Sequence, residues 1–380
     1  MRILAVSHYA LPHLGGIEVV VDGLARELVA RGHEVVHVAS SATAGAPGRA
    51  PGGYRVERVP ALNVLERIDV PYPLFAPSLV GVLRREIARA DVVHAHGLLY
   101  QSAAAAIALA ARSARRPARV VTEHVGHVAY AAPLLDRAQA LALATLGRAT
   151  ARRAQALVTL NDAVDAGLAA LAPATRRVRI HNGVDAERYR PAPPGERAAL
   201  RRELGWDDGV PRVLFVGRLV AKKGLDAALA ATAEGAGAFR LVVVGPGTPP
   251  RAPGANVHVL GAMPPDRVAA LYRAADAFLL PSRGEGFPLT AQEAMASGLP
   301  VVLADEPAYA EYLGGAGAGA RTAAADGAAL ARAVAGALAD PAAGAAAAAH
   351  ARQAFSWAAA AVRHEALYRE LLAGDARDGR

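Results

Sequence analysis

The stretch from Glu285 to Pro300 carries the residue types best suited to chemistry in this chain. Two carboxylates, Glu285 and Glu293, stand with seven residues between them across a predicted turn-to-helix junction. Gly286 permits a tight backbone there, and Pro288 suits the first helical position. One Glu then falls in the loop and the other on the helix. The leading N–H groups of a helix lack partners within it and bear partial positive charge, so the segment Gly286, Phe287, Pro288 and Leu289 makes a place for phosphate. Carboxylates accept hydrogen bonds in pairs, which matches the vicinal hydroxyls of a ribose or a hexose. A sugar nucleotide offers diphosphate, ribose and hexose together.

Cations near a second junction fit the same ligand. Of 42 Lys and Arg residues only Lys222 and Lys223 are lysines, adjacent to each other and just before Gly224. A compact ammonium in a chain that otherwise uses Arg suits phosphate, although a solvated helix start explains it equally well. Arg218 follows the strand-like run Arg212–Val216 and reaches the same loop. Near the N-terminus, Gly15 and Gly16 precede a helix and allow close backbone approach to a diphosphate; they do not form G-x-G-x-x-G, which argues against a dinucleotide site. Glu18 lies in the first turn of that helix, where it either meets a ligand or complements the dipole. His124 ends the strand-like run Val120–Thr122. A neutral imidazole there can hydrogen-bond a sugar hydroxyl or assist an acceptor, or simply pack at a strand end. His94 and His96 share a strand face and, with His124 and His127, sketch a metal site that no carboxylate completes. The expectation is no metal and no resident cofactor.

The elements that must position these residues alternate like two doubly wound units. At 380 residues the chain exceeds a single core, and 53% hydrophobic content supports full globularity. In the first half Ile3–Ser7, Glu34–Ala39, Asp91–His94, Arg119–Thr122 and Leu157–Leu160 read as short apolar strands between helix-length segments. Pro191-Ala192-Pro193-Pro194-Gly195 interrupts the pattern. A second series begins at Arg212, with strands at Arg240–Val244, Val257–Leu260, Ala277–Leu280 and Pro300–Leu303. Strands apolar throughout, alternating with helices, indicate parallel sheets. Ligands of such sheets bind beyond the carboxyl ends of the strands, where most of these motifs lie.

Glu285 and Glu293 resemble the E-x7-E signature of GT-B glycosyltransferases, especially the large retaining family 4. Supporting motifs follow the family's order: Gly15-Gly16-Ile17-Glu18, His94-Ala95-His96-Gly97, Glu123-His124, His181-Asn182-Gly183-Val184-Asp185, Val216-Gly217-Arg218-Leu219 with Lys223-Gly224, and Val244-Gly245-Pro246-Gly247. The resemblance implies an α/β GT-B fold, in which two Rossmann-like domains with parallel sheets face an interdomain cleft. It implies an acceptor domain over 1–188, a sugar-nucleotide domain over 189–354, and a terminal helix over 355–373 returning to the first. It gives Arg218 and Lys223 to the donor diphosphate, Glu285 and the N–H groups after it to the transferred sugar and phosphates, and Glu293 to the ribose. His124 is similar to the family histidine that faces the donor sugar. The implied activity moves a hexose from a UDP- or GDP-sugar to an acceptor hydroxyl with retention. No Asp-x-Asp element of the metal-dependent GT-A enzymes is present.

Composition excludes other classes. No cysteine is present, so disulfides and thiolate chemistry are out, and aromatics at 5% leave the net charge of +8 without the stacking platforms of a nucleic-acid binder. The longest apolar run, Ala103–Ala111, is far short of the roughly 20 residues a membrane span needs, and no secretion signal is visible, which predicts a soluble, cytoplasmic chain. The segment 133–153 joins Leu134, Leu135, Leu141, Leu143 and Leu146 with Arg137, Arg148, Arg152 and Arg153; it either packs on the sheet or touches an anionic membrane at its inner face. Two rival functions remain at this level, a silent sugar-nucleotide-binding subunit and a GT-B-fold epimerase. The acceptor, whether carbohydrate, lipid-linked or small molecule, is not encoded in a readable motif.

Overall fold

A computed structural model describes residues 1–13, 15–41, 48–68, 70, 72–124, 133–284 and 286–378, without the side chains of 67–68, 133–135 and 375–378. The chain forms two compact units, Met1–Gly183 with Trp357–Arg380, and Val184–Ser356. Each has its own apolar core.

In the first unit the strands are β1 (Arg2–Val6), β2 (Glu34–Ser40), β3 (Gly48–Arg49), β4 (Arg55–Val59), β5 (Ala61–Leu62), β6 (Leu74–Phe75), β7 (Val92–His96), β8 (Ala118–Thr122), β9 (Ala156–Thr159) and β10 (Arg176–Arg179). The main sheet runs β10-β9-β8-β7-β1-β2-β4-β3, parallel except for the β3–β4 edge, while β5 and β6 pair as a separate small ribbon. The chain builds outward from β1 to one side and from β7 to the other, so the winding reverses between β1 and β7. Val92–His96 is buried at every position, as a central parallel strand should be. The run Leu157–Leu160 does not close this half as the apolar pattern suggests. β10 follows it, and its sequence Arg-Arg-Val-Arg hides an edge strand whose side chains need little burial.

The second unit holds β11 (Arg212–Val216), β12 (Arg240–Val244), β13 (Val257–Gly261), β14 (Ala277–Leu280), β15 (Val301–Ala304) and β16 (Ala320–Ala323). They form a six-stranded parallel sheet in the order β13-β12-β11-β14-β15-β16, with the reversal between β11 and β14. The Gly/Ala tract from Gly314 ends in a short 3-10 turn at Gly317–Gly319 and then enters β16.

The unit boundary falls at 183/184 and 356/357. Val184 donates its N–H to Phe355 O at 3.0 Å and bridges to Ser356, and Val184 and Tyr189 join the second core, which is why 184–188 belong to the second unit. The terminal helix Trp357–Asp378 lies within the first unit. Its Trp357 fills the space left by Gly23 and Gly183, where any Cβ would overlap the indole. Glu365 accepts from Arg31 Nε at 2.6 Å, and Tyr368 meets His94 Nδ1 at 2.7 Å. Among the described residues, no helix is long and apolar enough to cross a membrane.

Candidate functional site

The second unit assembles its candidate residues at the β11/β14 reversal, where neighbouring connections diverge and leave the strand ends open. After β11 the chain turns through Gly217 and Arg218 into a 3-10 turn at Ala221–Lys223, closed by Gly224 at φ 75°. A Cβ at Gly224 would overlap Pro281 O, so only glycine lets this turn pack against the loop after β14. Arg283 N donates to Lys222 O at 2.9 Å and ties the same two segments together. The Lys223 stem runs back over Gly217, and the next residue, Arg218, is exposed. Gly245, at φ 143°, lies so close to Gly217 that a Cβ would overlap its carbonyl oxygen. The β12 loop thereby braces the cationic turn.

The loop after β14 is held from beneath. Tyr309 donates to Ser282 O at 3.2 Å, and Gly284 N donates to Glu306 Oε2 at 3.3 Å. Phe287 is buried and stacks on Tyr312 with centroids 4.4 Å apart. Gly286 and Pro288 are buried as well, and Leu289 opens the helix Leu289–Ala296. Pro288 stands at the N-cap with ψ 126°, one residue earlier than the sequence pattern suggests. Glu285 lies outside the described residues. In the first turn of the helix the Thr290 hydroxyl is buried without a hydrogen-bond partner, a polar group facing a helix start that suits an anion.

Glu293 sits one turn further along and is half-buried. Tyr272 Oη lies 3.1 Å from Glu293 Oε2 and 3.1 Å from Thr290 O, and Tyr189 acts on the same carboxyl. Burial pushes its pKa up to about 7, a rise that the two phenols and Arg188 temper and that Asp185 reinforces. The sequence reading missed both tyrosines, together with Glu306, Tyr309 and Tyr312. At helical or strand-end spacing a tyrosine reads as core; Tyr189, four residues beyond the Asn-Gly-Val-Asp motif, is the one with a usable signal.

In the first unit the candidate residues gather around the β1/β7 reversal. Gly15 is the N-cap of the helix Gly16–Ala30, and a Cβ on it would overlap the Glu18 carboxylate, whereas Gly16 has open space. Glu18 is only 2% exposed. It accepts from His13 Nδ1 at 2.8 Å and faces His8 Nε2 at 3.8 Å. Burial alone would raise its pKa, but His13, His8 and its own backbone N–H outweigh that and hold it below the usual range. A second acid, Glu66, meets His13 Nε2 at 3.0 Å. Glu18 is therefore a buried, paired carboxylate rather than a solvated helix-end charge.

His124 is buried at the end of β8, with Nε2 3.0 Å from His96 Nδ1. Burial lowers its pKa to about 3, so it is a neutral imidazole at physiological pH. His94 bonds Thr122 Oγ1 at 2.7 Å through Nε2. These contacts engage the histidines with one another and with hydroxyls. His127 lies outside the described residues, and among those described no cluster of three or more His, Asp or Glu is arranged to hold a metal.

Residues 14–188 match the family profile described as Glycosyltransferase Family 4, and residues 196–354 that described as Glycosyl transferases group 1. A D-inositol 3-phosphate glycosyltransferase from Xylanimonas cellulosilytica is 34% identical over 319 residues, covering 76% of this chain and 75% of that protein. The chain belongs to glycosyltransferase family 4. Another family 4 relative, a GDP-mannose-dependent alpha-mannosyltransferase from Mycolicibacterium smegmatis, is 31% identical over 80% of each chain. Against D-inositol 3-phosphate glycosyltransferases from Nocardia farcinica and Segniliparus rotundus the identity is higher, 41% and 44%, but the chain spans only about a third of their length, 31% and 30%. Among solved structures, sucrose-phosphate synthase from Thermosynechococcus elongatus superimposes with TM-score 0.77 at 23% identity, over 98% of this chain and 99% of that one. Anabaena HepE in complex with UDP does so with TM-score 0.74 at 18% identity, over 97% and 100%. The architecture is the GT-B fold.

Proposed function

We propose that this family 4 chain transfers a hexose from a nucleoside-diphosphate sugar to an acceptor hydroxyl, with the anomeric configuration retained. The observation that carries the reading is the packing of the Arg218–Gly224 turn against the loop that leads to Glu293, all at one strand reversal. Cations and a helix start for a diphosphate then stand beside a carboxyl for a ribose. The ligands printed for relatives, UDP and GDP-mannose, are of this class.

In the transfer, the bond between the anomeric carbon and the β-phosphate oxygen breaks and charge builds on the diphosphate. Arg218 and Lys223 stabilise that charge, the task a metal performs elsewhere, and activity accordingly survives a chelator. Glu285 holds hydroxyls of the moving sugar and Glu293 those of the ribose. Both acids are thus committed to hydroxyl contacts and neither serves as nucleophile. The acceptor oxygen enters on the face the diphosphate leaves, and its proton passes to the departing phosphate oxygen as the new bond forms. Within the first unit Gly16 leaves open space at its helix start, and neutral His124 hydrogen-bonds rather than carries charge.

The test is incubation of the purified chain with UDP- and GDP-hexoses and a panel of acceptors, read by product mass. A product heavier than the acceptor by one hexose unit supports transfer. An isomerised donor of unchanged mass indicates the epimerase, and no turnover indicates a silent subunit. Glu285→Ala is expected to lower transfer at least about a hundredfold with the circular dichroism spectrum intact, the scale of losing a contact made in the transition state. Unchanged turnover in that variant refutes the assignment.

A specific surface also supports contact with an anionic membrane. The π-helical turn Leu143–Gly147 inserts about one residue into the helical repeat, which brings Leu141 and Leu146 onto one face although they are five apart. Arg137, four residues before Leu141, and Arg153, seven after Leu146, lie on the same stripe, and all four are exposed. Leu146 lines an apolar groove with Tyr72 and Leu74, and Leu74 pairs with Leu62, which is 67% exposed. Apolar side chains flanked by arginines suit a lipid interface. Co-sedimentation with anionic but not neutral vesicles at low salt, weakened by Leu141→Asp, is the expected result; equal recovery without vesicles removes the idea.

A further inference from the structure

We propose that Tyr189 and Tyr272 are positioning residues for nucleotide recognition, holding the Glu293 carboxyl so that its open acceptor sites receive both ribose hydroxyls. The inference rests on the reading of Glu293 as the ribose ligand and adds what makes that side chain selective. Two separate segments converge on this one carboxyl. Tyr272 comes from the helix Pro265–Ala274 and is fully buried, with its hydroxyl 3.1 Å from Glu293 Oε2. Tyr189 comes from the turn after the unit boundary, and its ring stands edge-on to Tyr272, with centroids 5.7 Å apart and planes at 83°. That turn is fixed by Asp185, whose Oδ1 accepts from the N–H groups of Glu187 and Arg188 at 3.2 and 3.1 Å.

The stoichiometry of acceptors gives the arrangement its meaning. An ionised carboxylate has about four lone-pair positions. Tyr272, whose one proton lies between Glu293 Oε2 and Thr290 O, and Tyr189 take at most two of them and pin the rotamer, which leaves at least two for a vicinal diol. Without the tyrosines the carboxylate turns freely, and ordering it on binding costs affinity. A purely structural pair would satisfy buried hydroxyls and nothing more, so its loss would weaken every ligand of the site alike. A positioning pair differs in one respect: its loss is felt only by a ligand that carries both ribose hydroxyls.

The experiment is calorimetric titration of UDP, GDP and their 2′-deoxy counterparts into the full chain and its Tyr272→Phe, Tyr189→Phe and Glu293→Gln variants. Phenylalanine keeps the ring packing, and thermal melts report whether each variant is folded; Tyr189→Phe keeps the test open should Tyr272→Phe not fold. Each Tyr→Phe change is expected to weaken ribonucleotide binding about fivefold to tenfold, the scale of one hydrogen bond, while 2′-deoxynucleotide binding stays within about twofold. An equal loss for both sugars, or no loss for either, overturns the proposal. If Glu293→Gln loses the ribose preference while both Tyr→Phe variants keep it, the tyrosine clamp fails alone. If Glu293→Gln itself retains the preference, the assignment of Glu293 to the ribose fails and the clamp with it.

Discussion

A carboxyl that binds sugar hydroxyls works best ionised, and half-buried Glu293 sits where ionisation is costly. Its pKa of about 7 lies above the ordinary carboxyl value of 4.5, with Tyr189, Tyr272, Arg188 and Asp185 as the groups around it. The folded state therefore holds its proton where the unfolded chain has released it, so stability from this group is present below about pH 4.5 and is lost as pH climbs through about 7. Glu293→Gln is expected to raise the melting temperature relative to wild type at pH 8, with the advantage fading by pH 5; a constant offset across that range contradicts the assigned shift. For nucleotide binding the sign reverses, because the ionised form accepts both hydroxyls. Affinity should fall as pH drops below about 7 more steeply in the wild type than in Glu293→Gln, a comparison that cancels the titration of the nucleotide's own phosphate. At this scale the sequence is legible where polar residues stand in unusual company. Glu293 on a predicted helix start and a lone lysine pair in an arginine-rich chain are such signals. Tyr272 is not, because its helix shows the ordinary apolar spacing and nothing local reveals that its hydroxyl points at an acid.

The elements of the first unit share a set of buried histidines contributed by β2, β7, β8, the segment after β1 and the terminal helix. Burial is the leading cause that lowers His8 to about 4, His37 to about 3, His124 to about 3 and His364 to about 4, and it lowers His94 and His96 as well. An imidazole depressed in the fold takes up protons on unfolding once the pH falls below about 6.5, so this stability is complete above that value and is lost below it. Each such group adds to the loss as pH falls, which makes the first unit sensitive to acid. His13 opposes this: burial pulls it down, but bonds to Glu18 and Glu66 leave it raised. The first unit is expected to unfold cooperatively between about pH 6 and pH 4, followed by near-ultraviolet dichroism, and His37→Gln should shift the midpoint to lower pH; a first unit still folded at pH 4 contradicts the account. The apolar strands were legible because a central parallel strand is hydrophobic on both faces. β10 and β16, written Arg-Arg-Val-Arg and Ala-Arg-Thr-Ala, were not, since sheet edges impose no such pattern.

Taken whole, the chain is two doubly wound units sharing one plan, each with its strand order reversed at the point where the candidate residues collect. That plan was readable from alternating elements and from motifs at strand ends, and the family profiles span both halves. The position of the boundary was not readable, because the Pro-rich segment at 191–195 marks a change in composition, whereas the backbone bond from Val184 to Phe355 joins residues far apart in sequence. The second unit is the proposed seat of an activated sugar. The most direct measurement is calorimetric titration of UDP and GDP into the full chain with chelator present, repeated on the Arg218→Ala/Lys223→Ala double variant. At least one nucleotide should bind saturably at one per chain, and the double substitution should weaken it at least about a hundredfold, the scale of two lost charge-assisted contacts. Failure of both nucleotides to bind, or equal affinity in the double variant, would contradict the account.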